Sequence, residues 1–215
     1  MKPEKPNLRT RIKFCGMTRV EDVRAAVALG VDAIGVVLTD KSKRYAGIER
    51  AREIRMALPP FVDLVALFMD DMPGFIAEAI AAVQPDLLQF HGGETAQHCV
   101  RYRVPYLRAV AMGGGADPAE VVRAHPAAAG FVLDGHAAGE QGGSGKTFDW
   151  SAAMRGLIKP VVLAGGLTAR NVGDAIRALR PYAVDVSSGI ESAPGIKDAA
   201  KLRAFVDAVR AADAG

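Results

Sequence analysis

The chain predicts an α/β fold, one closed (β/α)8 TIM barrel of eight parallel strands, and three observations carry that reading. A short apolar strand, a turn and a helix-period segment recur eight times along 215 residues. The strands are almost wholly apolar, as strands covered on both faces should be. No change of composition interrupts the series, and eight units favour closure over a doubly wound sheet, which usually needs about five or six strands. Residues 1–10 read as a flexible lead-in, and 11–215 as a single barrel domain at the compact end of the range for this fold.

Each element follows in order. Strand one is Ile12–Cys15. Thr18 can cap a helix running through Glu21 to Leu29, which Gly30 stops. Strand two, Ala33–Leu38, is followed by a helix over Glu49–Leu58 that ends at Pro59-Pro60. Strand three is Val62–Phe68, and the next helix runs from Pro73 to Val83, with proline suited to the first turn. Strand four is Asp86–Phe90, with a helix over Glu94–Tyr102. Strand five, Tyr106–Ala111, leads through a glycine run to a helix from Asp117 to Ala124. Strand six, Gly130–Leu133, precedes a Gly-rich stretch, Gly135–Lys146, and a short helix near Trp150–Met154. Strand seven is Pro160–Ala164, after which Thr168 opens a helix to Leu179. Strand eight, Ala183–Val186, precedes the last helix at Asp198–Ala211.

Composition narrows the function classes. Hydrophobic residues make up 50% and charged residues 24%, an ordinary globular balance. The net charge of +3 rests on 27 basic against 24 acidic residues, and aromatics are 6%, so no nucleic-acid partner is expected. The basic run Lys2, Lys5, Arg9 and Arg11, broken by Pro3 and Pro6, reads as a frayed lead-in or as a phosphate-attracting rim. Cys15 and Cys99 lack CxxC spacing, which points to a reducing compartment rather than a disulfide or zinc framework. No apolar run reaches the length of a membrane span and no secretory h-region is visible, so a cytoplasmic location and no membrane partner are expected.

A closed barrel gathers the C-terminal ends of its strands at one mouth, so the residues there carry the chemistry. Strands seven and eight end in Leu163-Ala164-Gly165-Gly166-Leu167-Thr168 and Asp185-Val186-Ser187-Ser188-Gly189-Ile190-Glu191. Glycines in two adjacent loops let backbone N–H groups approach a phosphate, though each alone also reads as a tight turn. Cys15 ends strand one directly before Gly16. It is either a small buried hydrophobe or, with help in ionising, a nucleophile or base. Cys99, inside a helical pattern, reads as buried packing.

Asp134 ends an apolar strand, where a carboxyl is costly unless paired or protonated; it reads equally as a general acid or as a loop cap. Asp185 interrupts strand eight and points either into the barrel or towards the mouth. Arg44, in Lys41-Ser42-Lys43-Arg44-Tyr45, is either a solvated loop charge or a fork for a carboxylate. His91, in Gln89-Phe90-His91-Gly92, reads as a hydrogen-bonded mouth residue, since His98, His125 and His136 give no metal-like spacing with it. Gly142-Gly143-Ser144-Gly145-Lys146-Thr147 imitates a nucleotide loop but has Glu140 where that loop needs glycine. A glycine-hinged flap fits it better.

Together these segments resemble the phosphoribosylanthranilate isomerase family. The matching pieces are Lys13-Phe14-Cys15-Gly16-Met17-Thr18, Ser42-Lys43-Arg44-Tyr45, Gln89-Phe90-His91-Gly92, Leu133-Asp134, the glycine stretch from Gly142 to Trp150, Leu163-Ala164-Gly165-Gly166-Leu167, and the run from Val184 to Glu191. They keep the family's order and leave only the first ten residues outside. The resemblance implies a (β/α)8 barrel and an Amadori rearrangement of N-(5-phosphoribosyl)anthranilate, an aminoaldose, to an aminoketose in tryptophan biosynthesis. It implies Asp134 as general acid on the furanose ring oxygen and Cys15 as general base on the C2′ proton. Arg44 would hold the anthranilate carboxylate, Asp185 would line the site near the ribose or amine, and Gly166, Ser188 and Gly189 would give N–H groups to the phosphate.

No metal or cofactor is implied, because the substrate nitrogen serves as electron sink. The partner implied is one phosphoribosyl small molecule, and the patterns of monomer and homodimer are alike. Phe14 and Phe90 stand where the family has aliphatic residues and are expected to alter packing around the mouth. The rival readings are another sugar-phosphate barrel enzyme of the epimerase kind, or a non-catalytic phosphate-binding barrel.

Overall fold

The structure, a computed structural model, describes residues 9–112, 117–135 and 159–215. The expected helix near Trp150–Met154, all of the glycine stretch beyond Gly135 and most of the lead-in lie outside these residues. Eight parallel strands close into a barrel in chain order. They are β1 (Arg11–Phe14), β2 (Ala33–Val37), β3 (Asp63–Phe68), β4 (Leu87–Phe90), β5 (Tyr106–Ala111), β6 (Gly130–Asp134), β7 (Val161–Leu163) and β8 (Ala183–Val186). The ring shuts where β1 pairs β8, with Arg11 opposite Ala183 and Lys13 opposite Asp185.

Around the ring lie α1 (Val20–Ala28), α2 (Gly47–Met56), α3 (Pro73–Val83), α4 (Ala96–Val100), α5 (Pro118–Ala124), α6 (Val172–Leu179) and α7 (Ala199–Ala214). Asp198 starts α7 by accepting from the N–H groups of Ala200 and Lys201, and Asp117 starts α5 through Ala119. Two expected caps act otherwise. Thr18 donates its hydroxyl to the Gly195 carbonyl, and α1 begins only after Arg19, whose guanidinium forks onto Asp22. Thr168 stands in a turn closed by Asn171, so α6 begins at Val172. A two-stranded hairpin, β9 (Glu191–Ala193) with β10 (Ile196–Lys197), was not expected between β8 and α7. At three and two residues its strands are too short to write a period.

Alternation along each strand builds two cores. Ile12, Phe14, Ile34, Val36, Leu64, Phe68, Leu88 and Phe90 face outward and pack with helix residues such as Val23, Ile54, Ile76 and Phe205. Leu107, Ala109, Val132, Val162, Ala164 and Ala183 face inward and fill the barrel. Phe14 and Phe90 therefore sit in the strand–helix layer rather than at the mouth, which corrects the expectation about their effect. Phe14 meets Phe205 edge-on at 5.9 Å, and Phe90 stacks on Tyr102 at 6.2 Å. Phe90→Ala is expected to cost about 3–5 kcal/mol of stability, read from the midpoint of urea unfolding, with the geometry of the mouth unchanged.

Candidate active site

The site begins where β1 meets β8. Their register sets Lys13 beside Asp185 inside the barrel, where a lone charge would be costly. The two pair instead: Lys13 Nζ donates to Asp185 Oδ2 at 2.7 Å, with side chains 5% and 7% exposed. Burial works against the ammonium, but Asp185 and Cys15 outweigh it and hold the lysine above its ordinary pKa. Of the two orientations open to Asp185, the structure takes the one inside the barrel, with the carboxylate at the floor of the mouth.

Cys15 lies one residue past β1. A Cβ on Gly35 of β2 would come within 2.8 Å of the Cys15 Sγ and 3.2 Å of the Lys13 Cε, so glycine leaves room for both side chains there. Burial pushes the Cys15 thiol up; Lys13 opposes it, Asp185 reinforces it, Lys197 opposes it, and burial prevails. At rest, near neutral pH, the group is a thiol.

Asp134 closes β6, separated from β1 round the ring by β7 and β8. His91, just past β4, brings Nε2 to 3.3 Å from Asp134 Oδ2, and its Nδ1 lies 3.3 Å from Gln89 Nε2. The loop carrying His91 is braced by a buried pair, Arg108 on β5 with Glu94, at 2.8 Å; Glu94 also accepts from the N–H groups of Asp70 and Gly92.

Arg44 lies between β2 and α2 and forks onto Glu191, Nε to Oε1 at 2.8 Å and Nη2 to Oε2 at 2.7 Å. Glu191 also accepts from Lys197 Nζ at 2.8 Å and from the Gly195 N–H. Burial would raise its carboxyl, but Arg44 and Lys197 outweigh that and hold it below the usual carboxylate range. Lys197 Nζ donates in addition to the Cys15 carbonyl at 2.7 Å. The β9–β10 hairpin thus ties Arg44 to the backbone of Cys15.

The remaining wall is made by the loops after β7 and β8. Gly166 has φ 65°, a left-handed conformation that favours glycine, and its carbonyl accepts from Asn171 Nδ2 at 3.0 Å. Gly189 belongs to a 3-10 turn, Ser188–Ile190, and a Cβ there would run into the Leu167 carbonyl. Gly189→Ala is expected to push the two loops apart at a cost of about 1–3 kcal/mol. Thermal unfolding checks the effect.

Cys15, Arg44, Asp134, Gly166, Asp185 and Ser188 line one cavity at the C-terminal ends of the strands, about 780 Å³ counted out to its open mouth. Gln89 and His91 line it too, whereas Gly189 does not. Among the described residues no group of three or more His, Cys, Asp or Glu could hold a metal ion, and no helix is long and apolar enough to cross a membrane.

The sequence pattern of the family described as N-(5'phosphoribosyl)anthranilate (PRA) isomerase matches residues 12–208. The chain belongs to the phosphoribosylanthranilate isomerase family. It is 56% identical over 200 residues to the N-(5'-phosphoribosyl)anthranilate isomerase of Pseudomonas paraeruginosa, covering 93% of this chain and 95% of that one. Against the Halorhodospira halophila isomerase the figures are 48% over 206 residues, 96% and 99%. The solved Thermotoga maritima phosphoribosylanthranilate isomerase superposes with a TM-score of 0.86 at 39% identity, covering 94% of this chain and 99% of that one. Another isomerase of the family, solved with reduced 1-(o-carboxyphenylamino)-1-deoxyribulose 5-phosphate, superposes at 0.83 with 36% identity, covering 94% and 99%.

Lys13, Glu191 and Lys197 hold residues of the cavity lining and were given no role from sequence. Lys13 carried a signal, a charge alternating with Ile12 and Phe14 and so facing the same way as Cys15. Lys197 carried none, since only the hairpin returns it to β1.

Proposed function

We propose that this chain catalyses the Amadori rearrangement of N-(5-phosphoribosyl)anthranilate to 1-(2-carboxyphenylamino)-1-deoxy-D-ribulose 5-phosphate, the isomerase step of tryptophan biosynthesis. The observation that carries the reading is the placing of Cys15 and Asp134 in one cavity whose other wall is the pair of glycine loops. A phosphate seated on Gly166, Ser188 and Gly189 anchors one end of the substrate, and Arg44, its plane already set by Glu191, receives the anthranilate carboxylate at the other.

Between these anchors the proton transfers divide. Asp134 gives its proton to the furanose ring oxygen, the C1′–O bond breaks, and the nitrogen lone pair forms the iminium. Cys15, as thiolate, removes the C2′ proton, and the C–H electron pair flows into the iminium to give the enolamine. Loss of the C2′ hydroxyl proton and protonation at C1′ complete the ketone. The substrate nitrogen is the electron sink throughout, so no cofactor is called on. Asp185, at the floor, faces the ribose C1′–C2′ region and the amine.

The partner is a single phosphorylated small molecule, and the enzyme works in the cytoplasm as a monomer or a homodimer. A solved relative from Thermotoga maritima is described as dimeric and was also made monomeric. Sedimentation decides between the two states here. The activity itself is tested by supplying the phosphoribosyl anthranilate and following loss of its fluorescence. No loss beyond the uncatalysed rate removes the reading.

A further inference from the structure

We propose that Lys13 is a positioning residue for the reaction: its ammonium ionises Cys15 once a cationic group of the ligand takes the unpartnered carboxylate oxygen of Asp185. This deepens the isomerase reading and rests on it, since it says how the base of that reaction is switched on.

Lys13 serves two anions. At rest its Nζ is held 2.7 Å from Asp185 Oδ2, and the Cys15 Sγ lies against the same side of strand β2 as the lysine stem. The second oxygen of that carboxylate, Oδ1, is buried and has no hydrogen-bond partner, although Asp185 lines the cavity. A buried carboxylate oxygen left without a donor is unfavourable. The iminium N–H formed in the cavity when the ring opens supplies the donor and the charge together. When it does, Asp185 no longer offsets Lys13 fully, its own push against the thiolate falls, and the ammonium acts on Cys15.

The other charges around Cys15 are already committed. Lys197 of β10 sits on its carbonyl and on Glu191, Arg44 of the β2–α2 loop forks onto Glu191, and Asp134, across β7 and β8 from Cys15, meets His91. The Lys13–Asp185 pair is the balance that a ligand can tip. The direction of Cys15's resting titration agrees, with burial and Asp185 favouring the thiol and Lys13 the thiolate.

The protons balance. The thiol proton leaves for solvent at the mouth, and the thiolate takes the C2′ proton to become a thiol again. The C–H electron pair goes to the iminium carbon–nitrogen unit. Product release returns Asp185 to Lys13, and Asp134 regains its proton from solvent. The device keeps the thiolate, the form that oxidises, out of the resting protein.

Lys13 and Asp185 are tested without substrate, so the outcome is separate from whether the chain isomerises anything. Alkylation of Cys15 by iodoacetamide is followed against pH by mass spectrometry. Cys99 is resolved in the same spectra; it is fully buried, with its thiol pushed up by burial to about 12. In Asp185→Asn the midpoint is expected to fall by about one pH unit or more, and in Lys13→Met to rise by about as much. The double variant Lys13→Met with Asp185→Asn leaves no unpaired buried charge, which guards against a single variant that fails to fold. Its midpoint is expected to lie well above that of Asp185→Asn. A double variant that titrates like Asp185→Asn overturns the proposal, because Asp185 would then act on Cys15 without Lys13. So does an unchanged midpoint in Asp185→Asn, or in a folded Lys13→Met.

Discussion

Asp134→Asn is expected to lower kcat by about 10²–10⁴-fold, the usual contribution of a positioned general acid, with KM little changed. Asparagine keeps the shape of the side chain and can still meet His91, now 3.3 Å from one carboxylate oxygen, so the barrel and the anchors at either end of the substrate should persist. What is lost is the proton for the ring oxygen, and ring opening then waits on solvent. Steady-state fluorescence assays give the two constants, and a thermal scan beside them separates lost chemistry from lost fold. A near wild-type kcat in a folded Asp134→Asn would remove Asp134 from the acid role.

Cys15→Ala is expected to reduce kcat by a similar factor, about 10²–10⁴-fold, because alanine leaves nothing in the cavity to take the carbon-bound proton. The losses need not add in the double variant, since the proposed acid and base act in successive steps of one path. The pH dependence tells the two apart. In the proposed mechanism the acid must be protonated and the base ionised, so the two requirements oppose one another as pH rises. Asp134→Asn removes that opposition.

Burial holds the resting Cys15 thiol above its ordinary pKa, so the thiolate fraction of the free protein is small near neutrality and grows about tenfold per pH unit below the midpoint. The residual kcat/KM of Asp134→Asn should therefore climb with pH through neutrality and into the alkaline range, where the wild-type profile has flattened. A residual activity that is flat over the same range would mean that the group removing the proton is not Cys15.

The site was legible in the sequence where chemistry sits at strand ends. Cys15, Asp134 and the two glycine loops stand out because each breaks an apolar strand at the point where a barrel strand reaches its mouth, and all of them line the one cavity. His91 was readable as a hydrogen-bonded mouth residue, and its contacts with Asp134 and Gln89 are of that kind. Arg44 was readable as a guanidinium near the mouth, but its fork onto Glu191 was not, because the two are 147 residues apart and meet only through the hairpin after β8. Thr18 misled for a related reason: a good cap in isolation, it is drawn away by the carbonyl of Gly195, which the same hairpin brings to it.

By itself the sequence determined the eightfold order of strands, the alternation that separates the barrel interior from the strand–helix layer, and the residue types at the mouth. Those are local properties, set by side-chain period and by what may follow a buried strand. Only the tertiary structure decided the electrostatic state of the surroundings of Cys15, which holds its thiol above the ordinary pKa. That state depends on closure of β1 against β8, which sets Lys13 beside Asp185, and on the return of Lys197 to the Cys15 carbonyl. Electrostatic interaction between groups 172 or 182 residues apart leaves no period and no motif; it exists once the ring is shut and water is excluded from it.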